Sequence, residues 1–341
     1  MDSNEENYDE DLVSRQLGVY GKETMGKLAN MAVLVIGMRG LGAEVAKNLI
    51  LAGPKKVDIM DSIEAELRDL SANFYLTEDD LETARDEACK DKLAELNPHC
   101  EVGVVEGDVD EEMVEEYDVV VITEIFENIA QVIEINELCR KSNKGFILSQ
   151  NLGAYGYVFV DFGDEFVVKD KTGEEHKSFN VVGITNDEKG EVTVHKGKIH
   201  SFADGDYVKF REVKGMTELN DRDPIKIRVI DSYTFKLDLD TTKFGTYQID
   251  GIVESVNVPT KLKFQSLEKS IKNPHAVGEG FFITTDLSLF GRPEQCHIAL
   301  QAIYEYQTEN EDLPQNKRAQ VHEVVDIAKR INEENKKENA F

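Results

Sequence analysis

The chain has 341 residues, 40% hydrophobic and 31% charged, with 39 Lys and Arg against 67 Asp and Glu for a formal net charge of −28. That length allows a large core and about two domains. The acid excess excludes ready binding to nucleic acid or to an anionic membrane surface and favours basic partners. The sequence shows no apolar run approaching the roughly 18 residues of a membrane span, and no signal-peptide pattern. Cys89, Cys100, Cys139 and Cys296 lack C-x-x-C spacing, so they read as reduced, mostly core thiols of an intracellular protein with no activating base nearby.

In chain order, residues 1–11 are acidic and expected to be disordered at their start. Residues 12–29 carry Leu12, Leu17, Tyr20, Met25 and Leu28 at loosely helical spacing, broken near Gly18 and Gly21. Arg15 lies in this arm, and from spacing alone it reads as a surface ion pair. Residues 32–36, AVLVI, are a buried parallel strand, and helical spacing begins by Ala43. Strand, glycine turn and helix open a nucleotide-binding βαβ unit, because free N–H groups at the helix start face a phosphate. The loop Gly37-Met38-Arg39-Gly40-Leu41-Gly42 departs from G-x-G-x-x-G at its second glycine. There Arg39 puts a long cation where the backbone should approach the ligand. A nucleotide fold that binds no nucleotide at its own loop is expected.

Residues 56–60 form a second strand, and the acid that would hold a ribose after it is Asp61 or Asp58. Asp61 could equally cap a helix. Helices are expected over 64–76 and 82–96, a strand over 101–106, a short helix over 111–116 and a strand over 117–122. A helix over 128–141 and strands over 145–149 and 156–162 follow. This alternation predicts a doubly wound α/β domain. Between about 171 and 262 the texture becomes short alternating runs (191–195, 206–213, 225–229, 233–239, 251–258) separated by turn signals. That is an all-β barrel or sandwich. His195 and His200 lie there without metal-ligand spacing. Helical texture returns over 266–271, 294–308 and 315–335, so the β unit reads as an insertion. Three segments result: 1–170, 171–262 and 263–341. The last is polar at its end and reads as a cut through a longer chain.

Several stretches together resemble the N-terminal region of eukaryotic ubiquitin-activating enzymes, in order and from about residue 8 to 330. They are Tyr8-Asp9-Glu10-Asp11-Leu12-Val13-Ser14-Arg15-Gln16-Leu17, the 37–42 loop, Asp69-Leu70-Ser71-Ala72-Asn73-Phe74-Tyr75-Leu76, Gly205-Asp206-Tyr207-Val208, residues 213–220, Tyr233-Thr234-Phe235 and Phe290-Gly291-Arg292-Pro293. The resemblance implies an inactive adenylation half of the MoeB/ThiF fold with the first catalytic-cysteine half-domain inserted. It implies a whole enzyme, cytoplasmic and nuclear, that adenylates the C-terminus of ubiquitin or a ubiquitin-like protein with ATP and Mg and passes it to a cysteine. The active adenylation half and the domains that meet ubiquitin-conjugating enzymes would lie outside these residues, and the 341 residues alone are expected to be inactive. In active halves a ribose-binding Asp corresponds to Ile59, a phosphate-holding Asn and Arg to Asp69 and Ala72, and a Lys to Arg85; no clear match to the Mg-binding Asp stands near Thr123-Glu124. No cofactor site is therefore expected at Gly37, Arg39, Gly40 and Gly42, and no metal. Arg15 matches the arginine that crosses from the inactive half to the ATP of the active half. A NAD(P)-dependent oxidoreductase and a stand-alone regulatory subunit of a SUMO-type activator are the competing readings, as is a non-catalytic module that holds ubiquitin or a ubiquitin-like protein.

Overall fold

The computed structural model describes residues 13–272 and 293–338, apart from positions 127, 154, 171, 172, 174, 198, 311, 312 and 316. The acidic stretch 1–11, the beginning of the first motif and Phe290-Gly291-Arg292 lie outside the described residues. The chain divides into two compact units, Met1–Glu165 with Lys263–Phe341, and Phe166–Leu262.

In the first unit the strands are β1 (Ala32–Ile36), β2 (Lys56–Met60), β3 (Glu101–Val104), β4 (Val119–Ile122), β5 (Gly145–Leu152) and β6 (Tyr155–Asp161). They form one sheet in the order β3-β2-β1-β4-β5-β6. The first five are parallel, and β6 returns antiparallel on β5. This is a doubly wound arrangement whose strand order reverses between β1 and β4, where such sheets bind ligands. Alternation along β1 feeds two cores. Val33 and Val35 pack with α2 (Gly40–Ala52) and α3 (Arg85–Ala94), through Ala43, Ala46, Ile50, Cys89 and Leu93. Leu34 and Ile36 pack on the other face with α5 (Ile129–Lys141), through Val132, Ile135 and Cys139. β1 is therefore apolar on both faces, as a central parallel strand must be.

Other helices of this unit are α1 (Ser14–Leu28), α4 (Glu111–Glu115), α6 (Leu267–Lys272), α7 (Pro293–Asn310) and α8 (Arg318–Glu338). α1 is kinked at Gly21, whose φ of 77° and ψ of 163° interrupt the helix where the sequence pattern breaks. Among the described residues no helix is long and apolar enough to cross a membrane.

The expected helix over 64–76 is absent. The segment holds only a 3-10 turn at Asp69–Ser71. Polar side chains compete there for the backbone: Asp69 Oδ2 accepts the Glu66 N–H at 3.0 Å, and Asn73 Oδ1 accepts the Tyr75 N–H at 3.0 Å. α3 starts later than expected because Glu82 sits at φ 65°.

In the second unit β8 (Ser178–Ile184), β9 (Glu191–Val194), β10 (Tyr207–Arg211), β11 (Ile225–Val229), β12 (Thr234–Leu237) and β13 (Ile252–Val256) close a barrel in the order β10-β11-β12-β9-β8-β13. Its core joins Val192, Val194, Val208, Phe210, Phe235, Leu237 and Val253. The sequence reading misses β8, whose inward Phe179 and Val181 alternate with Asn180 and Val182. It also misses the ribbon of β7 (Phe166–Val168) and β14 (Thr260–Leu262), three paired residues at the two ends of the insertion.

Where the chain re-enters the first unit, α5 holds it. Arg140 Nη1 reaches Asp161 Oδ1 and Oδ2 at 2.7 and 2.8 Å, and its Nη2 reaches Asp164 at 3.0 Å. Asn136, fully buried, donates to Asp161 at 2.9 Å and accepts the Leu267 N–H at 2.8 Å. Phe264 N–H returns to the Gly163 carbonyl at 2.9 Å. Asp161 is 1% exposed, so Arg140→Ala would strand a buried charge. A loss of about 3–5 kcal/mol is expected. Urea melts of the two proteins check it, and a loss near the ~0–1 kcal/mol of a surface pair would contradict it.

Candidate functional site

The site sits at the strand-order reversal, between the ends of β1 and β4. Thr123, just after β4, donates its hydroxyl to the carbonyls of Ile36 and Gly37 at 3.1 and 2.9 Å and ties the two strand ends together. Two glycines of the loop are required by space. A Cβ on Gly42 would lie 1.8 Å from the Gly37 carbonyl oxygen, and one on Gly40 would lie 2.7 Å from the Ala72 Cβ. Gly37 also has φ +95°. Arg39 is extended, φ −69° and ψ −174°, a backbone open to any residue. The fold therefore tolerates a side chain at the second glycine position; only a ligand against the loop would forbid one.

That side chain does not project freely. Arg39 Nη1 lies 3.1 Å from Glu124 Oε1, and its Nε lies 3.6 Å from Asp69 Oδ1. Beneath it Arg85, 0% exposed, meets the same two acids and a third. Its Nε lies 2.9 Å from Asp61 Oδ2 and its Nη2 donates to Asp61 Oδ1 at 3.0 Å. Its Nη1 lies 3.5 Å from Asp69 Oδ2, and its Nη2 lies 3.4 Å from Glu124 Oε2. Arg39 Nε, Arg85 Nε and Glu124 Oε2 gain charge contact without an aligned hydrogen bond. Asp61 Oδ2 also accepts the Met38 N–H at 2.7 Å, so the loop is anchored to the cluster directly. Asn73 completes the anchor by donating to the Met38 carbonyl at 2.7 Å.

Two guanidiniums thus face three carboxylates, Arg85 cut off from water and Arg39 still 39% exposed above it. Burial disfavours the charge of Arg85, but Asp61, Glu124 and Asp69 outweigh it and hold its pKa above the usual value. Burial dominates for Glu124, whose pKa is raised although Arg85 and Arg39 pull it down. Burial also raises Asp86, which accepts the Asp61 N–H at 2.7 Å. The cluster presents paired charges, with no cation left unpaired for a phosphate.

Asp61 is neither a helix cap nor free for a ribose, since both its oxygens are taken within the cluster. Asp58 points to the opposite sheet face and bonds Tyr117 there. Ile59 is fully buried in the apolar core, and Ala72 packs against Gly40. Sequence reasoning singled out Arg39, Asp69, Arg85 and Glu124 separately and missed that they join. The available signal was charge balance, a loop arginine and an arginine at α3 against acids that follow β2 and β4. Arg15 is exposed on α1, with no ion pair among the described residues. Cys89 and Cys100 are pushed up to about 11 by burial and Cys139 to about 12, values that suit packing and not nucleophilic attack. His200 is buried against Phe202 and Phe235. Among the described residues no group of three His, Cys, Asp or Glu could hold a metal ion.

Arg85→Leu would leave Asp61, Asp69 and Glu124 without their buried cation. A loss of about 3–5 kcal/mol is expected in a denaturant melt, and a neutral result would contradict the cluster's role. Glu124 gives a test of opposite sense. Its folded pKa is raised, so ionising it opposes folding: its contribution is most favourable below the unfolded value and is lost as pH rises through the folded one. The stability of wild type relative to Glu124→Gln should therefore grow as pH falls from neutral into the carboxylate range. A difference that grows with rising pH would reverse that assignment.

Comparison with known proteins places this geometry. The ThiF family model matches residues 13–202. The ubiquitin-activating enzyme E1 FCCH domain matches 187–257, and the ubiquitin-activating enzyme E1 four-helix bundle matches 258–332. The chain is 42% identical over 328 residues to ubiquitin-activating enzyme E1 1 of Triticum aestivum, covering 95% of this chain and 30% of that protein. It is 38% identical over 329 residues to ubiquitin-like modifier-activating enzyme 1 of Oryctolagus cuniculus, covering 96% and 30%. With ubiquitin-activating enzyme E1 1 of Candida albicans it shares 40% over 309 residues, covering 90% and 29%. The chain therefore spans about 30% of the length of these relatives. With a match over more than half of its residues, a β3-β2-β1-β4-β5-β6 sheet and a glycine loop at its switch point, the chain belongs to the ThiF family.

Proposed function

We propose that these residues are the N-terminal part of a ubiquitin-activating enzyme and form the half of its adenylation module that binds no nucleotide. The complete enzyme would adenylate the C-terminus of ubiquitin or a ubiquitin-like protein with ATP and Mg, pass it to a cysteine, and meet ubiquitin-conjugating enzymes through domains beyond these residues. It would act in cytoplasm and nucleus. The observation that carries the reading is the Arg39, Arg85, Asp61, Asp69 and Glu124 cluster at the switch point. The residues present do not fit ATP: the arginines are spent on carboxylates, Ile59 offers a ribose nothing, and the Asp69 and Glu124 side chains line the space a phosphate would need. No catalytic step is assigned to this loop.

What this half contributes is support and one cation. Arg15 stands on an exposed face of α1, and an always-charged planar fork can stabilise the pyrophosphate that adenylation releases. The barrel and the acidic surface would help hold ubiquitin, beside the active half of the same chain. In the full-length enzyme Arg15→Ala should slow single-turnover adenylation by about 10- to 150-fold, the worth of a charge-assisted hydrogen bond. Its melting curve should stay unchanged, and Arg15→Lys should recover part of the rate. Wild-type adenylation by Arg15→Ala would return the residue to the solvated surface.

A further inference from the structure

A second site lies on the sheet face away from α2 and α3. A pocket of about 490 Å³ opens there between β2, β3 and α4, within the ~300–1,000 Å³ usual for small-ligand sites. Its floor is Asp58, whose side chain is 3% exposed. Asp58 Oδ2 is saturated: it accepts the Tyr117 hydroxyl at 2.6 Å and lies 2.6 Å from Lys56 Nζ. Burial first, and then the Asp58 carboxylate, keep Tyr117 protonated as the donor. Oδ1 accepts no hydrogen bond among the described residues. The residue beside it is Gly103, where a Cβ would come within 2.6 Å of that oxygen.

The walls are mixed. Val105, Met113 and the Tyr117 ring supply apolar surface, and Asp110, Glu112 and Glu116 stand around the opening. Asp110 is engaged as the cap of α4, accepting the Met113 N–H at 2.9 Å. Lys56 is the one cation against four carboxylates in the lining. That balance excludes a phosphate or carboxylate ligand and selects a cation. A single free acceptor oxygen suits a compact ammonium better than the bidentate fork of a guanidinium. The apolar wall suits an alkyl stem behind the charge.

We propose that this pocket receives a primary ammonium on an aliphatic stem, supplied as the lysine side chain of a basic protein partner. Asp58 Oδ1 takes the ammonium, Glu112 and Glu116 balance its charge at the rim, and Val105 and Met113 cover the stem. The net charge of −28 draws a basic protein to this surface. The site uses no residue of the glycine loop, so it stands whether or not the adenylation reading does.

The test is NMR of the 341-residue chain labelled at its methionine methyl groups, following Met113. The probes are N-acetyl-lysine methylamide, its Nε-acetylated form and cadaverine. The lysine probe should shift the Met113 methyl saturably, and removing the charge by acetylation should weaken binding by about tenfold or more. The double variant Glu112→Gln/Glu116→Gln should weaken it as well, with an unchanged melting curve. Gly103→Ala should reduce binding by crowding Oδ1; its folding is checked by the same melt. Equal shifts with both lysine probes, or no saturation by about 50 mM, would overturn the site. Cadaverine binding more than about tenfold tighter than the lysine probe would overturn the protein source in favour of a free diamine.

Discussion

A guanidinium cut off from water can persist only where carboxylates surround it, and Arg85 is held by three. Removing two charges from water costs several kcal/mol each, and only good geometry offsets it. The chain meets that demand by drawing Asp61 from the end of β2, Asp69 from the loop after it and Glu124 from the end of β4 onto one side chain of α3. Two crossovers of the sheet, β2 to β3 and β4 to β5, are thereby joined at the strand-order reversal. The glycine loop is held in turn, because Asp61 takes the Met38 N–H and Arg39 lies across Asp69 and Glu124. In a doubly wound fold this space ordinarily receives the phosphates of a ligand. Here the protein's own ions fill it.

That substitution explains the irregular segment after β2. Residues 64–76 have helical composition, yet Asp69 and Asn73 turn their side chains to backbone amides and to the loop. Ala72 lies so close to Gly40 that a side chain on Gly40 would push the segment off the loop. Ala72 is thus a packing residue of the loop. The same economy appears around Arg140, where a buried Asp161 collects a guanidinium, an amide and a backbone N–H to hold the re-entering chain. Buried carboxylates do the joining in both places, in a protein rich in them.

Much of the fold was legible in the sequence because its signals are local. The apolar runs of β1 and β4 and the glycines of the loop each name their element without reference to the rest. The change of texture after about residue 170 marked the β unit, although β8 escaped notice because Asn180 and Gly183 dilute its alternation. The site was legible only in parts. Arg39 announces itself by standing where glycine is expected. Asp61, Arg85 and Glu124 lie far apart in sequence, and no spacing rule links them; what joins them is the topology of a parallel sheet that brings the ends of β1, β2 and β4 side by side. Asp61 reads in the sequence as a candidate ribose holder, beside Asp58, or as a helix cap, because the end of β2 is a ribose position in folds that bind nucleotides and the competing demand of a buried arginine cannot be seen locally. The pocket over Asp58 left no sequence trace beyond an acid in the middle of an apolar strand.

The paired cluster leaves the glycine loop unable to bind a nucleotide. The direct measurement is equilibrium binding of ATP with Mg to the 341-residue chain, by fluorescence polarisation of a labelled ATP with unlabelled competitor. A cluster whose cations are already paired predicts no saturable binding up to about 1 mM. Micromolar binding that unlabelled ATP competes away and that Arg39→Ala weakens would contradict it, and would make the loop a working phosphate site.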